Sequence, residues 1–251
     1  MGRKNFTNIP MRTWNWLGVN EVSTDTESEV ESIEVEAGQS QKVSQVNLSK
    51  ENVAKKLKIK VGKDSRLELT IVDLSEADSL SEIVVDLDGD NSAVDLKAAY
   101  FGNGKRKLDL NYIIHQRGKQ TEAIMDVKGA LSGSCDKIFR GTLDFVKGSK
   151  GSVGREREEV IVLSETVRNR SVPLMLSGED EVDGHHAVSV GRIDGDKLFY
   201  LMSRGLDKIE AEKLIVEAAF NPVLERLDNT ELVNEISKII EGRFLTVGNF
   251  L

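Results

Sequence analysis

The sequence is poor in residues that build disulfides, metal clusters and aromatic cores. Its 251 residues include one cysteine, three histidines and three prolines, and aromatic side chains make up 5% of the chain. A single thiol excludes an intramolecular disulfide, so nothing indicates an oxidising compartment. No apolar stretch approaches the roughly 20 residues that cross a bilayer, and the first residues lack an apolar signal core. We therefore expect a cytoplasmic protein with an aliphatic core.

Charge and motifs exclude several classes of function. The formal net charge of −8 argues against nucleic acid or an anionic membrane as a partner. The sequence has no Gly-rich phosphate loop, no Cys-x-x-Cys pair and no Gly-x-Ser-x-Gly motif. We therefore expect that the chain is not an enzyme, does not itself hydrolyse ATP and has no structural zinc site.

The middle of the chain alternates apolar and polar residues with a period of two, which is typical of strands with one buried face. The pattern starts at Leu57, Ile59 and Val61 and ends at Leu143 and Phe145. Turn residues such as Gly, Asp and Asn separate the segments. This predicts an all-β body, but the pattern does not choose between a sandwich, a jelly roll and a β-helix.

The last part of the chain has helical signals. Asp194 is placed to cap a first helix, and Gly205 lies where a left-handed C-terminal residue is expected. Asp207 and Glu210 resemble a capping box that begins a second helix. Asn221-Pro222 is predicted to end that helix, and a further amphipathic helix follows.

We divide the chain into three parts on these patterns. Residues 1–50 are an N-terminal extension, with Trp14 and Trp16 as an anchor to the core and an acidic exposed connection over residues 21–36. Residues 51–192 are the β-body. Residues 193–251 are a helical region.

Few side chains are suited to bind a metal. Cys135 is the only soft sulfur ligand, whereas iron–sulfur clusters are typically held by four ligands that are mostly cysteine thiolates. His185 and His186 are adjacent, so on a strand one ring should face the body and the other should face outward. The chain alone is therefore not expected to hold a cluster tightly.

The segments Val182-Asp-Gly-His-His186 and Leu198-Phe-Tyr-Leu-Met-Ser-Arg204-Gly-Leu206 resemble the SufB/SufD family of the SUF iron–sulfur cluster assembly system, on its SufD-like side. That family has a Cys-Ser-His-Gly-Ala-Thr-type segment followed by Leu-Phe-Tyr-x-x-Ser-Arg-Gly. Upstream, Phe139-Arg-Gly141 and Pro173 match in order and approximate spacing.

The resemblance implies a right-handed parallel β-helix flanked by helical termini. It also implies that two SufB/SufD-type subunits pair through their β-helices, as a homodimer or a heterodimer. The helical region would dock a SufC-type ABC ATPase, and a nascent iron–sulfur cluster would be bound transiently and shared with the partner subunit. The docking residues implied by the motif are Leu198, Phe199, Tyr200, Arg204, Gly205 and Leu206.

Carried over by position, His186 matches the family histidine that is proposed to contribute to the shared cluster site. Gly184 stands where the SufD pattern usually has Cys, and Ala187 stands where SufB-type chains have Glu. Glu158 falls near the position of the essential Cys of SufB-type chains. Whether Cys135, Glu158 or Glu159 binds iron is left open.

Two other interpretations remain. A carbohydrate-acting or metal-dependent β-fold enzyme would need a deep cleft with paired carboxylates. An interaction module that never meets iron would show no iron after anaerobic reconstitution with its partners.

Overall fold

The structure is a computed structural model that describes residues 29–247. Within them twelve strands precede three helices, mostly as predicted. The strands are β1 Glu29–Val35, β2 Ser40–Asn47, β3 Val53–Val61, β4 Arg66–Asp73, β5 Ser79–Leu87, β6 Ala93–Gly102, β7 Lys107–Gln116, β8 Glu122–Leu131, β9 Asp136–Phe145, β10 Val153–Val162, β11 Arg168–Ser177 and β12 Asp183–Gly191. The helices are α1 Gly195–Ser203, α2 Lys208–Leu224 and α3 Thr230–Val247. The anchor predicted at Trp14 and Trp16 lies outside the described residues.

The strands wind into a parallel β-helix of about six turns. Odd-numbered strands form one six-stranded sheet, the odd sheet, and even-numbered strands form the other, the even sheet. Every neighbouring pair is parallel and in register. Of the three architectures that the alternation left open, the β-helix is therefore the one that forms, and the fold class is confirmed.

The core is the space between the two sheets. Inward-facing aliphatic residues from successive turns stack in rows, as Leu57, Ile83 and Tyr112 do along the odd sheet. Each is at most 1% exposed. Because in-register stacking places the same face of each strand inward, the period-two pattern translates directly into this core.

Helices α2 and α3 cover the outer face of the even sheet. Val216 and Phe220 of α2 pack with Ile236 and Ile240 of α3 against outward-facing residues such as Phe101. Arg243 of α3 fixes the contact, because its guanidinium donates to the backbone carbonyls of Phe101, Leu74 and Ser75.

The predicted caps are confirmed. The side chain of Asp194 accepts from the backbone N–H groups of Asp196 and Lys197, and Asp207 and Glu210 form a reciprocal capping box. Gly205 has a φ of +100°, the left-handed conformation that glycine adopts without strain.

Two local predictions were wrong. Residues 29–35 are not part of an exposed connection but form β1, because Ile33 and Val35 pair with Ile59 and Val61 and extend the core while Glu34 between them stays outside. The β-helix therefore begins before residue 51.

The second wrong prediction concerns Pro222, which lies inside α2 rather than ending this helix. Proline removes one backbone donor in the helix, but Val223 and Leu224 beyond it are buried against the even sheet. Their burial offsets the lost hydrogen bond, and the helix continues to Leu224.

Candidate functional site

His186 lies on β12, the last strand of the β-helix. Its register partner on β10 is Glu156, whereas the partner of His185 is Arg155. The two histidines therefore lie on opposite faces of the strand, with His186 on the side of inward-facing Glu156, and both are exposed. His186 is exposed because β12 belongs to the last turn, and in the described residues no further turn covers the inward side on which His186 lies.

This last turn, β11 and β12, leaves the β-helix open, and we call it the open end. Val188 and Val190 are register partners of inward-facing Glu158 and Val160, yet they are 37% and 45% exposed. Strand β12 is hydrogen-bonded only to β10 in the described part of the chain. An apolar row beside an unpaired strand edge is typical of a surface that associates with another chain.

At the opposite end, the inner face of the first turn carries both apolar and polar residues. Ile33, Val35 and Val43 pack on the core, and Gln45 donates a hydrogen bond of 3.0 Å to Glu31 across the turn.

A polar cluster lies inside the β-helix near the open end. The ammonium group of Lys137 on β9 pairs with the carboxylate of Glu158 on β10, and both side chains are fully buried. The hydroxyl of Tyr100 donates to the same carboxylate at 2.9 Å, and Lys137 also donates to Ser171 Oγ at 3.0 Å. Burial lowers the pKa of Lys137, while burial and the charge of Glu158 raise the pKa of Tyr100.

Glu156 was missed by the sequence analysis. It is 2% exposed, and its carboxyl group occupies the space that a side chain at Gly141 would fill. Neither of its oxygens has a hydrogen-bond partner. Burial, followed by the charge of Glu158, raises the pKa of Glu156 to about 8. The Gly in Phe139-Arg-Gly141 therefore makes room for a buried acid.

The other candidate ligands lie elsewhere. Glu159 faces outward and pairs with Lys128 at 2.9 Å and Arg157 at 2.5 Å. Cys135 is fully buried in the apolar core, and burial raises the pKa of its thiol to about 11. Within residues 29–247, no three His, Cys, Asp or Glu side chains converge in a way that would hold a metal ion.

The residues of the second motif lie on and just after α1, which has no buried residue. Phe199 is 73% and Tyr200 57% exposed, and Met202 of the same helix and Leu214 of α2 are exposed as well. The guanidinium of Arg204 lies 5.2 Å from the centre of the Tyr200 ring. Leu198 and Leu206 are half-buried. A groove of about 460 Å³ runs between α1 and Ile215 of α2.

A second groove, of about 430 Å³, lies on the outer face of the even sheet. Its carboxylates are those of Glu68, Asp95 and Glu122, and each is paired with a basic side chain, from Lys42, Arg226 and Arg66 respectively. Among the described residues, no helix is long and apolar enough to cross a membrane.

Comparisons with known proteins agree with the fold. The family model described as "SUF system FeS cluster assembly, SufBD core domain" matches residues 16–219. The iron–sulfur cluster assembly protein SufD of Bacillus subtilis is 32% identical over 182 residues, which cover 72% of this chain and 42% of that protein. An iron–sulfur cluster assembly SufBD family protein of Pyrococcus horikoshii is 33% identical over 153 residues, covering 61% and 34% respectively. The chain thus matches less than half the length of each of these relatives.

Proposed function

Since the chain belongs to the SufB/SufD family, we propose that it is a non-enzymatic scaffold subunit of an iron–sulfur cluster assembly complex. In this proposal it pairs with another SufB/SufD-type subunit and docks a SufC-type ABC ATPase. A nascent cluster is held transiently between the paired subunits, with His186 among its ligands.

The observation that carries the docking proposal is the exposed aromatic surface of α1. Phe199 and Tyr200 stay exposed although α2 and α3 bury their own apolar faces on the even sheet. Aromatic side chains next to an arginine are the residues that most often dominate protein–protein binding energy. The groove beside α1 gives an ATPase a concave surface to enter.

Pairing is supported by the open end. Another subunit placed on β12 would cover Val188 and Val190 and satisfy the free strand edge. His186 would then lie at the contact, where a ligand from the other subunit can complete a cluster site that this chain lacks.

The docking proposal is tested by co-purification with a SufC-type ATPase. Phe199→Asp places a charge in the proposed contact and is expected to abolish co-purification, whereas the fold should stay intact because Phe199 is 73% exposed. Val30→Asp is the matched control: Val30 is 59% exposed on β1, at the far end of the β-helix. ATPase binding retained by Phe199→Asp would remove α1 from the contact.

A further inference from the structure

Glu156 is a buried acid at the end of the β-helix where the last turn stays uncovered. The residue is 2% exposed, and among the described residues neither of its carboxylate oxygens has a hydrogen-bond partner. Buried polar atoms in folded proteins are nearly always satisfied, so an exception calls for a functional reason. Because both atoms can accept a hydrogen bond, the group that satisfies them must carry an N–H or O–H donor.

Among the described residues, one neighbour of Glu156 can supply that donor. The other inward-facing residues beside it and across the core carry no side-chain N–H, and they are Gly154, Glu158, Met125, Phe139, Gly141 and Pro173. The hydroxyl of Tyr112 is hydrogen-bonded to Ser81, and the ammonium group of Lys137 pairs with Glu158. The register partner of Glu156 on β12 is His186, whose ring carries an N–H in either tautomer.

The register places these two side chains next to each other. Neighbouring strands of a sheet are about 4.8 Å apart, and register partners project from the same face. A glutamate carboxylate and a histidine ring nitrogen extend to a similar depth from the backbone. The structure shows Glu156 without this bond, and the exposed ring of His186 can turn toward it. A small rotation of His186 therefore brings a ring N–H to a carboxylate oxygen.

We propose that Glu156 is a positioning residue for His186, whose ring donates one N–H to the Glu156 carboxyl group and presents its other nitrogen at the open end. Histidines that bind metals almost always donate their second ring N–H to a carboxylate, a carbonyl or water, which fixes the tautomer and the ring orientation. The hydrogen bond itself does not depend on the proposed function, whereas its use at a shared cluster site rests on that function.

The hydrogen bond is tested on the chain alone, by NMR of the ring N–H protons of its histidines, with His186→Ala assigning the signal. We expect a slowly exchanging ring N–H from His186 in the wild type. Glu156→Met keeps the length of the side chain but removes both acceptors, so it should lose this signal. Glu156→Gln keeps an acceptor and should retain it.

The matched control is Glu159→Met on the same strand. The carboxylate of Glu159 faces outward and pairs with Lys128, so this variant should keep the slow ring N–H of His186. A ring N–H of His186 that exchanges as fast in the wild type as in Glu156→Met would overturn the proposal.

The positioning role is tested in the complex reconstituted anaerobically with the partner subunits. Glu156→Met is expected to lower the iron and sulfide content at least about tenfold, since residues that orient a metal ligand typically contribute 10- to 100-fold. In the His186→Ala background the same substitution should cause no further loss, because Glu156 acts through His186. An equal loss in both backgrounds is the result of a merely structural role and would overturn the positioning role.

Failure of the proposed function would look different. Normal cluster content in His186→Ala would remove the histidine from a shared site, while the NMR comparison would still decide whether Glu156 and His186 are hydrogen-bonded.

Discussion

Lys137 and Glu158 are oppositely charged residues that have no exposed surface. Their pairing is supported by hydrogen bonds from Tyr100 to Glu158 and from Lys137 to Ser171, which is the condition under which a buried ion pair is tolerated. Glu158 stands near the position where the resemblance places the essential Cys of SufB-type chains. In this chain Glu158 is one member of a buried ion pair with Lys137.

The thiol of Cys135 does not take the place of that essential Cys as a metal ligand. Cys135 is buried, and its raised pKa keeps the sulfur protonated at neutral pH, whereas the thiolate is the metal ligand. In the proposed complex, soft ligands for a cluster would therefore come from another subunit.

The interior acids show what sequence reasoning cannot supply. Residues 155–159 read Arg-Glu-Arg-Glu-Glu, with charges on both faces of the strand, so the alternation rule does not identify the inward face. Only the register with Ala123, Met125 and Val127 on β8 reveals that Gly154, Glu156 and Glu158 point inward. His186, in contrast, was predicted as a site residue from its motif.

His186→Ala is expected to lower cluster yield about tenfold or more when the chain is reconstituted anaerobically with its partner subunits, because a ligand is lost from the shell. The fold should be unchanged, since His186 is exposed. His185→Ala is the control, as its ring lies on the other face and contacts Asp183 at 2.8 Å. Normal iron and sulfide content in His186→Ala would remove this histidine from the site.

The strands were the best predicted elements, because burial of one face requires apolar residues at alternate positions of the sequence. The turns of the β-helix were not recognised as repeats, because their lengths vary: Asn47 and its neighbour Asp73 are 26 positions apart, whereas Lys128 and Glu159 are 31 apart. Without a fixed period, self-similarity is not visible in the sequence.

A shorter signal was present at one corner of the β-helix. A residue with positive φ precedes a buried Ser or Thr in successive turns, as at Asp64-Ser65 and Asn91-Ser92. The hydroxyl groups of Ser65 and Ser92 donate to backbone carbonyls within the stacked turns. A residue in the left-handed conformation followed by a buried Ser or Thr is therefore a repeated feature of the turns. This pattern could have identified the β-helix from its turns rather than from its strands.

Helix α2 depends on its capping box. Asp207→Ala removes the acceptor for the backbone N–H of Glu210, which is 2.8 Å away, and is expected to lower the free energy of unfolding by about 1 kcal/mol. Glu210→Gln is the control, because glutamine also completes a capping box. Chemical denaturation measures both variants, and equal stability of Asp207→Ala and the wild type would contradict a stabilising role for the cap.

At the scale of the whole molecule, the two proposed contacts lie on consecutive elements, since β12 ends at Gly191 and α1 begins at Gly195. The open end presents β12 for another subunit, while α1 presents its aromatic side chains for an ATPase. Helices α2 and α3 are packed on the even sheet and are held by Arg243 and by the ion pair of Arg226 with Asp95.

The most direct measurement is the native mass of the complex formed when this chain is co-expressed anaerobically with a SufC-type ATPase, with and without a SufB-type subunit. We predict an assembly that contains two SufB/SufD-type chains together with the ATPase, and that Val188→Lys at the open end separates the two chains while each still binds the ATPase. A chain that stays monomeric and unbound in the presence of both partners would contradict the account.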